Sequence, residues 1–355
     1  MKFFNIDLHV SVIEDMKYIF RDLGHEIVDW SISGHTKFFN KFPIHNGVVG
    51  PGNWRDIDQA MCDRFYFKYK DMLAQYDGFI CTYPPAFSML YEKFNKPIII
   101  NIPIRYEAPF WDNRDGWLYF NDFLQRNIDS GMVIPVANNK FDQAYFEMFV
   151  GRKCEWISSL CQYFPIKYRV DDTRRVLLNS FSDCPFRAFL PFFRGEFNWK
   201  DYDRFKAMVH VPYNVSVMKI FEHYIANIPM MFPSKKFLLD MIFNWEHKKS
   251  AMSQMSFNQI FCLPSKSCLF DSTLQHDPNN YNSRESFENW IGYADFYDAE
   301  NMPHIQFFDS ERELQDMCGS LDLQKISDQM YHQNALREVV VYGKWEKILK
   351  TIKGN

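Results

Sequence analysis

Short apolar runs alternate along the first half of the chain with segments whose apolar residues recur every three or four positions. Phe3–Val10 is one such run, and Val12, Met16, Ile19, Phe20 and Leu23 then repeat at helical spacing. Gly24 stops that helix, as glycine does just beyond a last turn, and His25–Ser31 reads as the next strand. A second helix is expected over Asp56–Gln75, with Ile57, Met61, Phe65 and Met72 on one face. Gly78–Thr82 and Pro97–Ile102 are continuous apolar runs on either side of a helical segment, Phe87–Phe94. Strands apolar on both faces belong to a parallel sheet covered by helices. Met132–Ala137 and a helix over Lys140–Val150 extend the alternation.

Tyr168–Thr173 is a polar break suited to a linker, and the alternation then starts again. Arg175–Phe181, Ala207–Val211, Ile228–Phe232 and Ile305–Phe308 are strand candidates, with a helical segment at Ser216–Asn227 and a polar loop at Asn279–Ser286. Helices are expected at Ser310–Met317, Gln324–Gln333 and Leu336–Ile352. The pattern predicts two doubly wound, Rossmann-like α/β domains facing across a cleft, over residues 1–170 and 171–355.

A length of 355 residues suits two domains of ordinary size. With 47% hydrophobic and 24% charged residues the chain has the balance of a soluble globular protein, which argues against global disorder. A net charge of −4 gives no overall basic field to draw nucleic acid. No apolar run reaches the roughly 18 residues of a membrane span. The opening Met1–Asp7 meets polar and acidic residues too early for a signal peptide, so a cytoplasmic location is expected. Eight cysteines without a paired CxxC spacing read as buried thiols rather than a zinc or disulfide framework. Aromatic residues are unusually common at 18%, and most must pack in the core.

The stretch Val209–Ser234 carries the most chemistry. A strand ends at Val211, Pro212 turns the chain, and Asn214 or Ser216 is placed to cap a new helix. The N–H groups and dipole at such a helix start suit a phosphate. Glu222 follows about two turns in, and Ala226-Asn227-Ile228-Pro229 ends the helix and begins another strand. These parts can hold a nucleoside diphosphate and its ribose.

This stretch resembles the donor-binding motif of GT-B glycosyltransferases. In that family a helix N-terminus holds the diphosphate and a Glu binds the ribose hydroxyls, the positions of Ser216 and Glu222 here. Leu23-Gly24-His25-Glu26-Ile27-Val28 is similar to the family's first helix-to-strand passage. The helices at Ser310–Met317, Ser327–Asn334 and Leu336–Leu349 resemble its C-terminal helices, the last of which packs back on the N-terminal domain. Asp7-Leu8-His9-Val10-Ser11 and Arg105-Tyr106-Glu107 are similar to glycosyltransferases of large algal DNA viruses. Retaining members commonly carry a pair of Glu separated by seven residues. Here Asn214 stands eight positions before Glu222, so the anomeric outcome is not carried over.

The resemblance implies glycosyl transfer from a UDP- or GDP-linked sugar to a saccharide or glycan acceptor, with no cofactor and no metal. Donor-side candidates are Ser180, Arg187, Arg194, Asn214, Ser216 and Glu222. Lys235 and Lys236 are weaker ones, because paired lysines are usually a solvated face. The turn Asp7–Ser11 should open at the carboxyl edge of the first sheet, where α/β sheets meet ligands. His9 is the candidate base there, oriented by Asp7 or replaced by it, with Ser11 as the helix cap. Arg105, Tyr106 and Glu107 follow a strand and supply hydrogen-bonding groups and a ring platform for an acceptor. Two other readings stay open: a nucleotide-sugar epimerase or hydrolase on the same fold, and a non-catalytic protein that binds sugar nucleotides or glycans.

Asp56-Ile57-Asp58 and Asp201-Tyr202-Asp203 mimic a DxD metal motif, but the first pair starts a helix, where acids are favoured by the dipole alone. Gly47–Gly52 is glycine-rich without the order or the following helix of a dinucleotide site. The ten histidines show no metal-ligand spacing.

Overall fold

A computed structural model describes residues 1–169, 171, 174–180, 185–192, 199, 205–212, 214–243, 267–280 and 283–354, the side chains of 179, 180 and 185 excepted. The chain divides into two compact units. Unit 1 is Met1–Ser159 with Lys266–Leu269 and Val341–Asn355, and unit 2 is Leu160–Ser265 with Phe270–Val340.

Unit 1 opens with strand β1 (Lys2–Asp7), helix α1 (Val10–Asp22) and strand β2 (Glu26–Ser31). Gly24 has a φ of +78°. Its N–H bonds to the carbonyl of Arg21, and that of His25 bonds to Phe20, closing α1 in a Schellman turn. Helix α2 (Gln59–Leu73) is capped by Asp58, whose carboxylate accepts from the Met61 N–H at 2.7 Å. It leads to β3 (Gly78–Cys81), and a 3-10 helix (Pro85–Phe94) then connects to β4 (Ile98–Ile102). Helix α3 (Arg114–Asp129), β5 (Val133–Ala137), α4 (Lys140–Val150) and β6 (Glu155–Trp156) complete the unit's main run. The six strands pair in parallel in the order β2-β1-β3-β4-β5-β6. Gly78 lies so close to its neighbours that a Cβ would stand 2.8 Å from the Pro97 carbonyl and 3.1 Å from the Phe3 ring.

The aromatic surplus fills this sheet's faces. Phe3, Phe4, Phe20, Phe65, Phe79 and Tyr91 are fully buried, and Phe79 stacks on Tyr91 at 4.3 Å. The Tyr91 hydroxyl accepts from the Ile6 N–H, which gives a phenol in an apolar core its partner.

Unit 2 contains β7 (Arg175–Ser180), β8 (Phe205–Val211), α5 (Met218–Ile225), β9 (Met230–Pro233), α6 (Lys235–Phe243) and α7 (Arg284–Ile291). Strand β10 (Gln306–Phe308) and helix α8 (Glu311–Ser320) follow. Its parallel sheet runs β10-β9-β8-β7. The last helix, α9 (Leu323–Gly354), is 32 residues long, and the chain passes from unit 2 into unit 1 within it, after Val340. No helix among the described residues is long and apolar enough to cross a membrane.

Three expectations change. The helices expected at Gln324–Gln333 and Leu336–Ile352 are one, because Leu323, Ile326, Met330, Asn334, Arg337, Val341, Trp345 and Leu349 form a single buried stripe with no Gly or Pro to break it before Gly343. Asn334, at the expected break, faces inward and donates to the Tyr224 carbonyl at 2.6 Å. The end of the expected loop Asn279–Ser286 already belongs to α7, capped by Ser283, whose hydroxyl accepts from the Ser286 N–H. Helix α3 was not among the expected elements; Asn113 caps it, and Phe120, Phe123, Leu124 and Asn127 form its buried face.

Candidate functional site

In unit 1, β1 lies between β2 and β3, so the chain leaves its carboxyl end toward one side and returns on the other. The carboxyl ends on either side of such a reversal form a crevice. Asp7 closes β1 and is paired in register with Ser31 of β2. Ser31 donates to Asp7 Oδ1 at 2.6 Å, and Thr82, just past β3, donates to Oδ2 at 3.5 Å. Burial raises the Asp7 carboxyl well above the usual carboxylate range, and the neighbouring Asp29 carboxyl adds to it.

His9 occupies the cap position of α1, two residues on, and is half-buried. Loss of solvation pulls its imidazole down to about 4, so it is neutral near pH 7 with a lone pair to offer. Two details differ from expectation. Asp7 directs its carboxylate to Ser31 and Thr82, and no hydrogen bond joins it to His9. Ser11 is the second residue of α1 rather than its cap, and no side chain caps that helix.

At the carboxyl end of β4 the chain buries Arg105, Tyr106 and Glu107 together. Tyr106 is a core residue. Its ring packs on Phe146 at 5.2 Å, its hydroxyl donates to Asn121 and accepts from Trp117, and it has no exposed face on which a sugar could stack. Glu107 Oε1 accepts from the Tyr145 hydroxyl at 3.1 Å and lies 3.9 Å from the Arg105 Nε. Its Oε2 is buried with no hydrogen bond among the described residues. Burial raises the Glu107 carboxyl, and the Arg105 charge opposes that rise. Asp142, from the first turn of α4, joins this group: burial pushes it up to about 7 against the Asn139 hydrogen bond and the Arg105 charge. Sequence reasoning did not connect Asp142 to this edge, because the link runs through the pairing of β4 with β5.

Unit 2 brings its candidates to the carboxyl ends of β7 and β8. Ser180 closes β7 in register with Val211, the last residue of β8. Arg187 lies in a 3-10 helix (Pro185–Ala188), its guanidinium 4.3 Å from the Phe192 ring. Arg194 and the Asp201–Asp203 motif lie outside the described residues. After Pro212, the side-chain Oδ1 of Asn214 accepts from the Val215 N–H at 2.8 Å, and Ser216 is buried. Neither caps α5. The cap residue is Val217, an extended residue whose side chain makes no capping bond, because the helix starts later than the sequence suggested.

Glu222 is 7% exposed, so it is not a solvated helix acid. Tyr163 donates to its Oε1 at 2.7 Å, and Oε2 carries no hydrogen bond among the described residues. Burial pushes the carboxyl up to about 7, opposed by the Tyr163 hydrogen bond and the Lys219 charge. Beside it, His223 of α5 meets His210 of β8, Nδ1 to Nε2, at 2.9 Å. His210 stacks on Phe232 at 4.8 Å. Lys235 and Lys236 begin α6, with the Lys235 ammonium 5.5 Å from the Tyr297 ring.

No protein-family model and no curated protein matches the chain. Solved structures do. Anabaena HepE, in complex with UDP and glucose, matches with a TM-score of 0.51 and 9% identity, over 99% of this chain and 100% of its own. The fold is GT-B. A glycosyltransferase, SnogD from Streptomyces nogalater, matches over 98% of this chain and 99% of its own, with a TM-score of 0.46 and 9% identity. At 9% identity the likeness to HepE carries the fold alone and leaves the chemistry to the residues. In this GT-B chain the structure places Asp7 and His9 at one edge of unit 1, Arg105 and Glu107 at another, and Glu222 in unit 2. Among the described residues, no group of three or more His, Cys, Asp or Glu side chains is placed to hold a metal ion.

Proposed function

We propose that the chain is a metal-independent glycosyltransferase that moves a sugar from a UDP- or GDP-linked donor to a saccharide acceptor. The observation that carries this reading is Glu222. A parallel strand ends, the chain turns at Pro212, and a helix without a side-chain cap presents, about two turns in, a buried carboxyl with one oxygen held and the other without a hydrogen bond among the described residues. Vicinal ribose hydroxyls are the donors such an oxygen suits, and the start of α5 suits the diphosphate. Ser180, Arg187, Arg194, Asn214 and Ser216 complete the donor side of the proposal, with one of the two arginines as the candidate to neutralise the departing diphosphate.

Arg105 and Glu107, buried like Tyr106, are proposed to shape the acceptor edge from within, and the base is assigned to His9, with Asp7 as its alternate. A neutral imidazole can take the proton of the attacking hydroxyl as the bond to the anomeric carbon forms and the bond to the diphosphate breaks. The reading is tested with UDP- and GDP-sugars and a panel of mono- and oligosaccharides in EDTA. Nucleotide release that depends on acceptor supports it. Release without acceptor favours a hydrolase, and binding without turnover favours a non-catalytic protein.

A further inference from the structure

Helix α5 is tied down on several sides. The His223 side chain bonds to His210 of β8, the Tyr224 hydroxyl donates to the Pro303 carbonyl at 2.9 Å, and Asn334 of α9 donates to the Tyr224 carbonyl. With the helix backbone held, the remaining freedom at Glu222 is the torsion of its own side chain. One contact fixes that. Tyr163, 5% exposed and 59 residues away in sequence, donates its hydroxyl to Oε1 at 2.7 Å. A carboxylate oxygen bound by a phenol has one lone pair already engaged, whereas the other oxygen keeps both for a ligand.

From this geometry we infer that Tyr163 is the positioning residue of the nucleotide site, holding Glu222 by Oε1 so that Oε2 is the oxygen presented to the ribose, and favouring the anionic carboxyl. The inference rests on the donor-site reading of Glu222. The phenol bonds best to an anionic acceptor, so it favours ionisation, while burial disfavours it. Among the described residues, the charged and titratable groups around Glu222 are as follows. Lys219 on α5 favours the anion, Cys161 lies beside Tyr163, and His210 and His223 are held neutral by burial. Arg337 of α9 lies 5.0 Å from the Tyr224 ring and 6.0 Å from that of Phe221. Removing the Tyr163 hydroxyl therefore shifts the pH at which the site becomes competent, rather than only loosening it.

The test titrates UDP, GDP and TDP against the full chain between pH 6 and pH 9, taking forward the nucleotide that wild type binds tightest. Wild-type affinity should fall as pH drops through about 7, where Glu222 takes up a proton. Apparent affinity scales with the competent fraction, and a lost charge-assisted hydrogen bond moves the protonation equilibrium of Glu222 by about tenfold, which takes the anionic fraction at pH 7 from about a half to about a tenth. Tyr163→Phe should therefore bind about fivefold more weakly at pH 7 and less than about twofold more weakly at pH 9. In a Glu222→Gln background the same replacement should change affinity by less than about twofold at either pH. A Tyr163→Phe loss that is equal at pH 7 and pH 9, or that persists with Gln at 222, overturns the inference and leaves the donor site standing. Unchanged affinity in Glu222→Gln alone, or wild type binding none of the three nucleotides, overturns the donor site and this inference with it.

Discussion

The His210 Nε2 and the His223 Nδ1 share a proton over 2.9 Å in the core of unit 2, so each ring fixes the tautomer of the other. Neither can be charged there cheaply. Burial lowers His210 to about 3 and His223 well below its usual range. Their folded values lie below the unfolded one, so the unfolded chain takes up protons first. The stability they contribute is whole above pH 6.5 and is lost as pH falls toward those lower values. Replacing both with apolar residues (His210→Phe with His223→Leu) removes the linkage. The stability difference between wild type and this double variant should grow by about 2 kcal/mol per pH unit between pH 5 and pH 6. Denaturant melts at the two pH values check this, and a constant difference would contradict it.

Asp142 has the opposite sign. Its folded value is raised to about 7, so its stabilising protonated form is whole below the unfolded value and is lost as pH rises through about 7. Asp142→Asn keeps the shape and the oxygen that accepts from Asn139 while removing the charge. Thermal melts should show the variant gaining on wild type between pH 5 and pH 8, by on the order of 1–3 kcal/mol. An equal loss at both pH values would mean that the carboxylate is compensated as a charge.

His9 makes no side-chain cap bond and is not oriented by Asp7, so its contribution should be to turnover alone. His9→Ala should lower kcat by about 100-fold or more, the range of general base catalysis, and leave nucleotide affinity within about twofold. If turnover is unaltered, Asp7 and then Glu107 become the groups to replace.

The doubly wound fold was legible because its punctuation is local. Lys140–Val150 is the helix expected, since Asn139 caps it and Gly151 ends it in a left-handed turn. Helix α3 was hidden by the aromatic run that enters it, where Phe110 and Trp111 look like loop chemistry. The continuity of α9 is not legible in the sequence, because the polar Asn334 lies in its buried stripe and its amide bonds two groups of its own unit.

At the candidate sites, residues close to a strand end could be named in advance, since strand ends are where α/β sheets meet ligands. Their partners could not. Tyr163 reaches Glu222 across 59 positions and Ser31 reaches Asp7 across 24, contacts that exist only once strand order is set. Tyr106 shows the reverse error: an aromatic after a strand reads as a platform, and burial makes it core.

Whether unit 2 holds the nucleotide through Glu222 is tested most directly by titrating free nucleotide against Glu222→Ala, with His9→Ala as the matched control and unliganded melting to confirm folding. Losing a charged hydrogen bond to ribose costs about 1.5–3 kcal/mol, so Glu222→Ala should bind about 10- to 150-fold more weakly while His9→Ala binds as wild type does. Equal affinity in Glu222→Ala and wild type would contradict the donor site.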